Sequence, residues 1–510
     1  MEYGEKIMKL LLIDPPFKSF AGIFSLYFPL GLTYVAGAAI KAGYECKILD
    51  MDAAETKDGS LDFTKEYESY NNYVKALNDP EHPTWNLMKK LVTEQKPDII
   101  GITALTTKFG SVIQTAKFCK EVLPDVPIII GGPHATAMPQ LTAQIPEADY
   151  ILRGEGDESI PELLDAIRDG KDLSQIKGLT WKKDGQIIHN PDREFVKDLD
   201  SVAFPARSAL LNPENYSSED MGVILSSRGC PFCCSYCFHM WNRQVRYRSV
   251  ESVIEEIKQV HDAYGTTQFS IKDDSFTVKR SHVLKLCEEF RKLPFKLTFN
   301  CTTRVDIIDD ELLNVMKHSG LAQLSVGIES GSTEILKATD KGITHEQILK
   351  AAELLNKHGI YWTGYFMIGL PQETEDDILK TLAFLKKSKP YYGGLGVYNP
   401  FPRTKLFDQG VEMGLVDPNP SIEHFLNTNP KDLFFKDPKK RVLNITHERF
   451  QELAEMAEKT FHKHNSNLLN LARRAFSRRH VYKHDKSLLK RDVTKGLEFL
   501  GLGAIAKLIK

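Results

Sequence analysis

The sequence predicts an α/β protein: an open, doubly wound N-terminal domain, then a partial barrel of six β/α units, then a helical C-terminal segment. Three observations carry this. Short apolar runs without strict alternation recur between helix-length segments over residues 1–172, the pattern of a parallel sheet covered on both faces. Prolines at 191, 205 and 213 then punctuate a polar stretch over 173–217. The alternation resumes over 218–440 and gives way to a basic, helical pattern over 441–510. A chain of 510 residues is too long for one ordinary core and suits such a division.

In the first domain the predicted strands are Lys9–Asp14, Glu45–Asp50, residues 98–103, residues 127–130 and Tyr150–Leu152, with helices over Leu30–Lys41, 109–123 and 159–168. Ligands of open α/β sheets sit at the carboxyl ends of the strands. Those ends read Asp14-Pro15-Pro16, Thr103-Ala104-Leu105-Thr106, Gly131-Gly132-Pro133-His134 and Arg153-Gly154-Glu155-Gly156. Glycine there lets the backbone approach a bulky ligand. Residues 177–188 read as a β-hairpin turning at Asp184-Gly185, inside the connector between domains.

The second domain has predicted strands over 223–226, 268–272, 296–300, 323–328, 361–368 and 394–398. Six units are fewer than the eight of a closed barrel, and reactive groups of barrels gather at strand carboxyl ends. From Lys459 to Lys510 there are thirteen Lys and Arg against Asp485, Asp492 and Glu498. This reads either as a solvated helical face or as a surface docking on anionic lipid, helped by the apolar end 497–509.

Composition narrows the classes. The charged fraction of 26% and the hydrophobic fraction of 42% are those of a soluble globular protein. A net charge of −2 gives no reason to expect nucleic acid as a partner. No apolar run approaches the roughly 20 residues that span a bilayer, and the N-terminus does not resemble a secretory signal, so the expected location is the cytoplasm.

Of the eight cysteines, Cys46, Cys119, Cys287 and Cys301 are isolated in apolar segments and read as small buried hydrophobes. The other four fall together in Arg228-Gly-Cys230-Pro-Phe-Cys233-Cys234-Ser-Tyr-Cys237-Phe-His, just after the first strand of the second domain. Two metal readings compete. As two Cys-x-x-Cys knuckles the segment suggests zinc, but zinc knuckles are normally separated by a long loop and here they abut. As Cys-x-x-x-Cys-x-x-Cys it supplies three thiolates, Cys230, Cys234 and Cys237, with Cys233 as a bystander. Three thiolates on a 4Fe–4S cube leave one iron open to a small molecule.

With this motif at a barrel strand end, the chain resembles the radical S-adenosylmethionine (SAM) superfamily, in the class with an N-terminal Rossmann-like cobalamin-binding domain. The resemblance spans residues 7–415. It implies that Cys230, Cys234 and Cys237 bind the cluster and that the open iron chelates the amino and carboxylate groups of SAM. Cleavage of SAM then yields a 5′-deoxyadenosyl radical that abstracts a substrate hydrogen. Tyr236 resembles the ring near the adenine, with an ordinary packed aromatic as the alternative. Asp273 and Asp274, in Lys-Asp-Asp-Ser-Phe, resemble the position that binds the methionine ammonium through a charge-assisted bond; a helix-capping aspartate is the plain alternative.

Arg304 resembles the arginine that steadies the methionine carboxylate with its bidentate fork. Glu329, in Ser-Val-Gly-Ile-Glu-Ser-Gly, matches the contact to the ribose or methionine part. Gly369 lies in the run from Gly364 to Pro371 that resembles the adenine-side strand, and Arg403 stands where glycine is more usual. Gly131, Gly132, His134 and Gly154 fall in segments that resemble the cobalamin-binding loops. No Asp-x-His-x-x-Gly stretch offers a histidine beneath the cobalt. His134 is read as contacting the corrin edge or a phosphate, or as capping a helix.

The resemblance implies three cofactors: a 4Fe–4S cluster, SAM and cobalamin. The expected reaction is cobalamin-dependent methylation of an unactivated carbon in a small-molecule or lipid-like substrate, with an electron donor such as flavodoxin or ferredoxin. A radical cyclase, oxidase or carbon–carbon coupling enzyme is the second reading, and a non-catalytic iron–sulfur or corrinoid carrier the third. Peripheral membrane contact would run through the basic C-terminus.

Overall fold

The computed structural model describes residues 7–22, 27–53, 66–483, 486–499, 501–503 and 505–506. Contacts divide the chain into two units.

In the first unit, seven strands of the described residues form one sheet in the order β2-β1-β3-β4-β5-β6-β7: β1 (Lys9–Asp14), β2 (Glu45–Asp50), β3 (Ile99–Thr103), β4 (Ile128–Gly131), β5 (Tyr150–Leu152), β6 (Leu179–Lys183) and β7 (Gln186–His189). The first five are parallel. Leu10 to Ile13, Ile100, Ile102 and Ile128 to Ile130 are all buried, so the strands are covered on both faces. Helix Leu30–Lys41 packs against helix Gly156–Asp169, and helix Phe109–Val122 against helix Pro83–Gln95.

Two features depart from the sequence reading. The hairpin β6–β7 is no free connector: β6 pairs antiparallel with β5 and extends the sheet. Arg153 fixes it there, donating to Asn190 O at 2.5 Å and to Asp192 Oδ1 at 2.9 Å. The first unit therefore runs to Met221, and it also takes in residues 401–403 and 417–434, which the sequence had assigned to the barrel. Pro418 and Pro420 prevent helix continuation there. The returning helix Ile422–Asn427 then buries Phe425, whose ring lies 5.0 Å from that of Phe109.

Among the described residues of the second unit, six parallel strands follow in simple sequential order, β15-β14-β13-β12-β11-β8: β8 (Val223–Ile224), β11 (Gln268–Ile271), β12 (Thr298–Thr303), β13 (Leu321–Glu329), β14 (Trp362–Ile368) and β15 (Tyr392–Val397). This is the partial barrel. Two short strands, β9 (Ser227–Arg228) and β10 (Arg246–Tyr247), form a separate antiparallel pair. The edge strand β15 is covered by helix His447–Ser466. Asn465 imitates a paired strand there, accepting from Gly393 N at 2.9 Å and donating to Gly393 O at 2.8 Å.

Helices Leu468–Tyr482 and Lys486–Phe499 follow, and the basic tail is not uniformly solvated. Arg478 is buried, its guanidinium 3.7 Å from the Tyr361 ring centroid and bonded to Asp492 at 2.7 Å. Arg474 donates to Tyr391 O at 2.6 Å. Arg473 donates to Asn356 Oδ1 at 3.1 Å. These arginines fasten the helix inward. Residues 500, 504 and 507–510 of the apolar end lie outside the described residues. No helix among the described residues is long and apolar enough to cross a membrane.

Candidate functional site

Strand β8 is shorter than its sequence predicts because its continuation serves another purpose. The backbone N–H groups of Ser226 and Ser227 turn to the Asp273 carboxylate, at 2.7 and 3.1 Å, and their hydroxyls donate to the same group at 2.5 and 2.7 Å. Next, β9 and β10 clamp together the two ends of the loop that carries the cysteines. Gly229 opens this loop at φ +103°, and a Cβ there would strike the Gln244 carbonyl, so only glycine fits. Ser235 N donates to Thr339 O at 2.8 Å, and Leu406 N to Ser235 O at 2.8 Å, pinning the loop in the middle.

Cys230, Cys234 and Cys237 are half-buried on this loop, and Cys233 is exposed. The Cys237 thiol hydrogen-bonds to Cys234, and that bond, with the charges of Lys341 and Arg304, holds the Cys234 thiol down to about 6. The same bond pushes the Cys237 thiol up. Arg304 lies across the face of Phe232 at 3.8 Å, and its Nη1 is 3.8 Å from the Cys234 sulfur. Asp306 grips the rest of the fork through two bonds of 2.9 Å, and Nη2 also donates to Lys341 O at 2.6 Å.

The two aspartates after β11 separate. Asp273 is buried and fully engaged by the two serines, whereas Asp274 is exposed and accepts from Gly229 N at 3.1 Å. Glu329 ends β13 after a register shift and sits at φ +66°, an uncommon backbone for a glutamate. Its carboxylate pairs with the buried ammonium of Lys341 and accepts from the Tyr236 hydroxyl. The Tyr236 ring packs beside Met367 on a cluster of Ile335, Leu370, Tyr398 and Leu406. Gly369, at φ +85°, donates to the buried Glu373 at 2.5 Å, and Leu370 N does so at 3.2 Å. Burial pushes Glu373 up to about 8. Lys341 and Glu373 went unread in the sequence. Glu373, four residues beyond Gly369, carried a weak signal; Lys341, in a loop, carried none.

In the first unit, Gly132 follows β4 at φ +99°, where a Cβ would press on Ala104 N and O and on Thr103 Oγ1, each at 3.1 Å. Gly131 has looser surroundings. Gly154, at φ +79°, donates to Thr136 Oγ1 at 3.0 Å, and Arg403, at φ +63°, donates to Thr136 O at 3.0 Å. His134 is not exposed on a loop. It is fully buried, 3.8 Å from the Phe109 ring and 5.7 Å from Phe425, with Nδ1 3.1 Å from Thr106 Oγ1. Burial depresses it to about 3, so it is neutral. Between these loops Leu105 is 42% exposed, and buried Lys108 pairs with Asp14.

Residues 224–385 match the radical SAM superfamily and residues 77–164 match the B12 binding domain. Over 416 residues, 79% of this chain and 70% of the relative, the chain is 30% identical to an anaerobic magnesium-protoporphyrin IX monomethyl ester cyclase of Rubrivivax gelatinosus. The chain belongs to the cobalamin-binding radical SAM family. An uncharacterised methyltransferase of Pyrococcus horikoshii is 29% identical over 464 residues, 90% of this chain and 93% of that protein. Among solved structures, the radical SAM methyltransferase TsrM of Kitasatospora setae, determined with cobalamin and a 4Fe–4S cluster, shares the fold. Its TM-score is 0.65 at 16% identity, covering 89% of each chain.

A radical SAM enzyme takes a 4Fe–4S cluster and SAM, and its B12 binding domain takes cobalamin. The donors suit both. Among the described residues no three His, Cys, Asp or Glu side chains converge on one ion. A cube asks for no such convergence, because each thiolate binds a different iron. Cations at Arg304 and Lys341 favour the thiolate form of Cys234. In the first unit, Gly131, Gly132 and Gly154 keep the ends of two strands free of side chains, with Leu105 exposed after a third, which leaves room for backbone to approach a bulky group. His134, enclosed between two rings, presents no nitrogen to solvent.

Proposed function

We propose that Cys230, Cys234 and Cys237 hold three irons of the cluster, and that the enzyme methylates an unactivated carbon of a small molecule. The observation that carries this is the loop itself: three half-buried thiols clamped by β9 and β10 at the end of the first barrel strand, with Arg304 against one sulfur. When bound, the cofactors supply a 5′-deoxyadenosyl radical and a transferable methyl group.

The chain's own residues bind and orient. Asp274, exposed beside Gly229, accepts the methionine ammonium, while Asp273 shapes the strand end. Arg304, held edge-on by Asp306, presents Nη1 toward the cluster loop and steadies the methionine carboxylate. Glu329, paired with Lys341, holds the Tyr236 hydroxyl, so that the Tyr236 ring, packed with Met367, would line the adenine side together with Gly369. Gly131, Gly132 and Gly154 admit the cobalamin, with His134 as packing beneath the loop. Holding the 5′-carbon and the substrate carbon in contact supplies much of the rate. Reduction requires an external one-electron donor such as flavodoxin or ferredoxin.

The likeness to a cyclase at 30% identity favours one alternative, ring closure without methyl transfer. Anaerobically reconstituted enzyme, given SAM and a reductant with its substrate, separates the two. Methylation yields both 5′-deoxyadenosine and S-adenosylhomocysteine; 5′-deoxyadenosine without S-adenosylhomocysteine would contradict it.

A further inference from the structure

The helix Leu468–Tyr482 has two faces of opposite purpose. Its inward face is fixed by Asn470, Arg474, Ser477 and Arg478, all bonded within the second unit. The outward stripe, at helical spacing, carries Leu468, Leu469, Ala472, Ala475 and Phe476, then Arg479 and Lys483. Leu468, Leu469 and Phe476 are 68%, 77% and 66% exposed. The next helix adds exposed Leu489 and Val493, and beyond it Leu502 and Ile505 are also exposed. Single exposed apolar residues are ordinary, but a stripe of them along one helix, with further exposed apolar residues on the next, marks an interaction surface.

The charges select the partner. Arg479 lies 3.6 Å from the Phe476 ring centroid, and Lys483 extends the same stripe. Asp492, on the second helix, is neutralised by the buried Arg478 and bonded by the Tyr482 hydroxyl at 2.8 Å. Apolar side chains flanked by cations, with Asp492 neutralised, complement an anionic lipid headgroup layer above an acyl interior.

We propose that this face docks the protein peripherally on an anionic bilayer, with Leu468, Leu469 and Phe476 entering the interface. The arginines that hold the helix to the sheet act as its mount rather than as lipid ligands. Orientation is therefore set by folding, before any membrane is met.

The test is flotation of the full-length protein with phosphatidylcholine vesicles, with and without phosphatidylglycerol, and sedimentation of the lipid-free protein. The expected result is binding only to the anionic vesicles, weakened by salt, and reduced on the order of tenfold or more in L469E/F476E. R479E is expected to weaken binding less. A far-ultraviolet spectrum and melting temperature like the wild type's show that each variant is folded. Equal binding to neutral and anionic vesicles, no binding, or an L469E/F476E variant that binds like the wild type overturns the proposal. A dimer that L469E/F476E dissociates would assign the face to a second copy and overturn it as well.

Discussion

Two adjacent aspartates show how much one residue's surroundings decide. The sequence placed Asp273 and Asp274 together at a strand end and gave them one role, because side-chain direction and hydrogen-bond partners are not visible in a dipeptide. In the structure Asp273 satisfies four donors from Ser226 and Ser227 in a buried site, and Asp274 faces solvent. Removing a buried acceptor leaves its donors unsatisfied, so D273A should cost roughly 3–5 kcal/mol of stability. D274N should melt like the wild type and weaken SAM binding about tenfold or more. Thermal denaturation and equilibrium dialysis of SAM check both. The cysteine motif was legible because its spacing is itself the chemical requirement. Glu329 was legible only as a match, since its φ of +66° and its pairing with Lys341 arise from tertiary contacts.

At the scale of elements, the parallel strands could be read because burial on both faces leaves continuous apolar runs such as Leu10 to Ile13. The two-residue strands β9 and β10 have no periodicity to read, yet they set the mouth of the cysteine loop. The tail shows what composition leaves open: basic residues suited either a solvated face or a lipid-facing one, and the structure sorts the arginines by face. That sorting predicts contrasting effects for neighbours. R478A removes a buried cation stacked on Tyr361 and leaves Asp492 with the Tyr482 hydroxyl but no counter-charge, and should cost roughly 3 kcal/mol. R479A, on the exposed stripe, should leave the melting temperature within a degree or so of the wild type's. Calorimetric scans of the two variants test the assignment of faces.

For the molecule as a whole, alternating β/α units revealed both sheets, but neither the strand order nor the ownership of every segment. Residues 417–434 return to the first unit through Phe425 and its ring contacts, and 401–403 through the bond of Arg403 to Thr136 O, long-range preferences that no local window contains. The hairpin β6–β7 likewise joins a sheet edge that only the folded chain supplies. Both cofactor-binding units are thus built from discontinuous sequence or late additions around a legible core.

The central claim is that Cys230, Cys234 and Cys237 hold the cluster while Cys233 stands aside. Iron and sulfide analysis with electron paramagnetic resonance of anaerobically reconstituted variants tests it most directly. C233A should retain about four irons per chain, and its reduced signal should still change when SAM is added. C230A, C234A and C237A should each lose that SAM-responsive signal. A C233A protein without its cluster, or a C234A protein with an intact SAM-responsive one, would contradict the account.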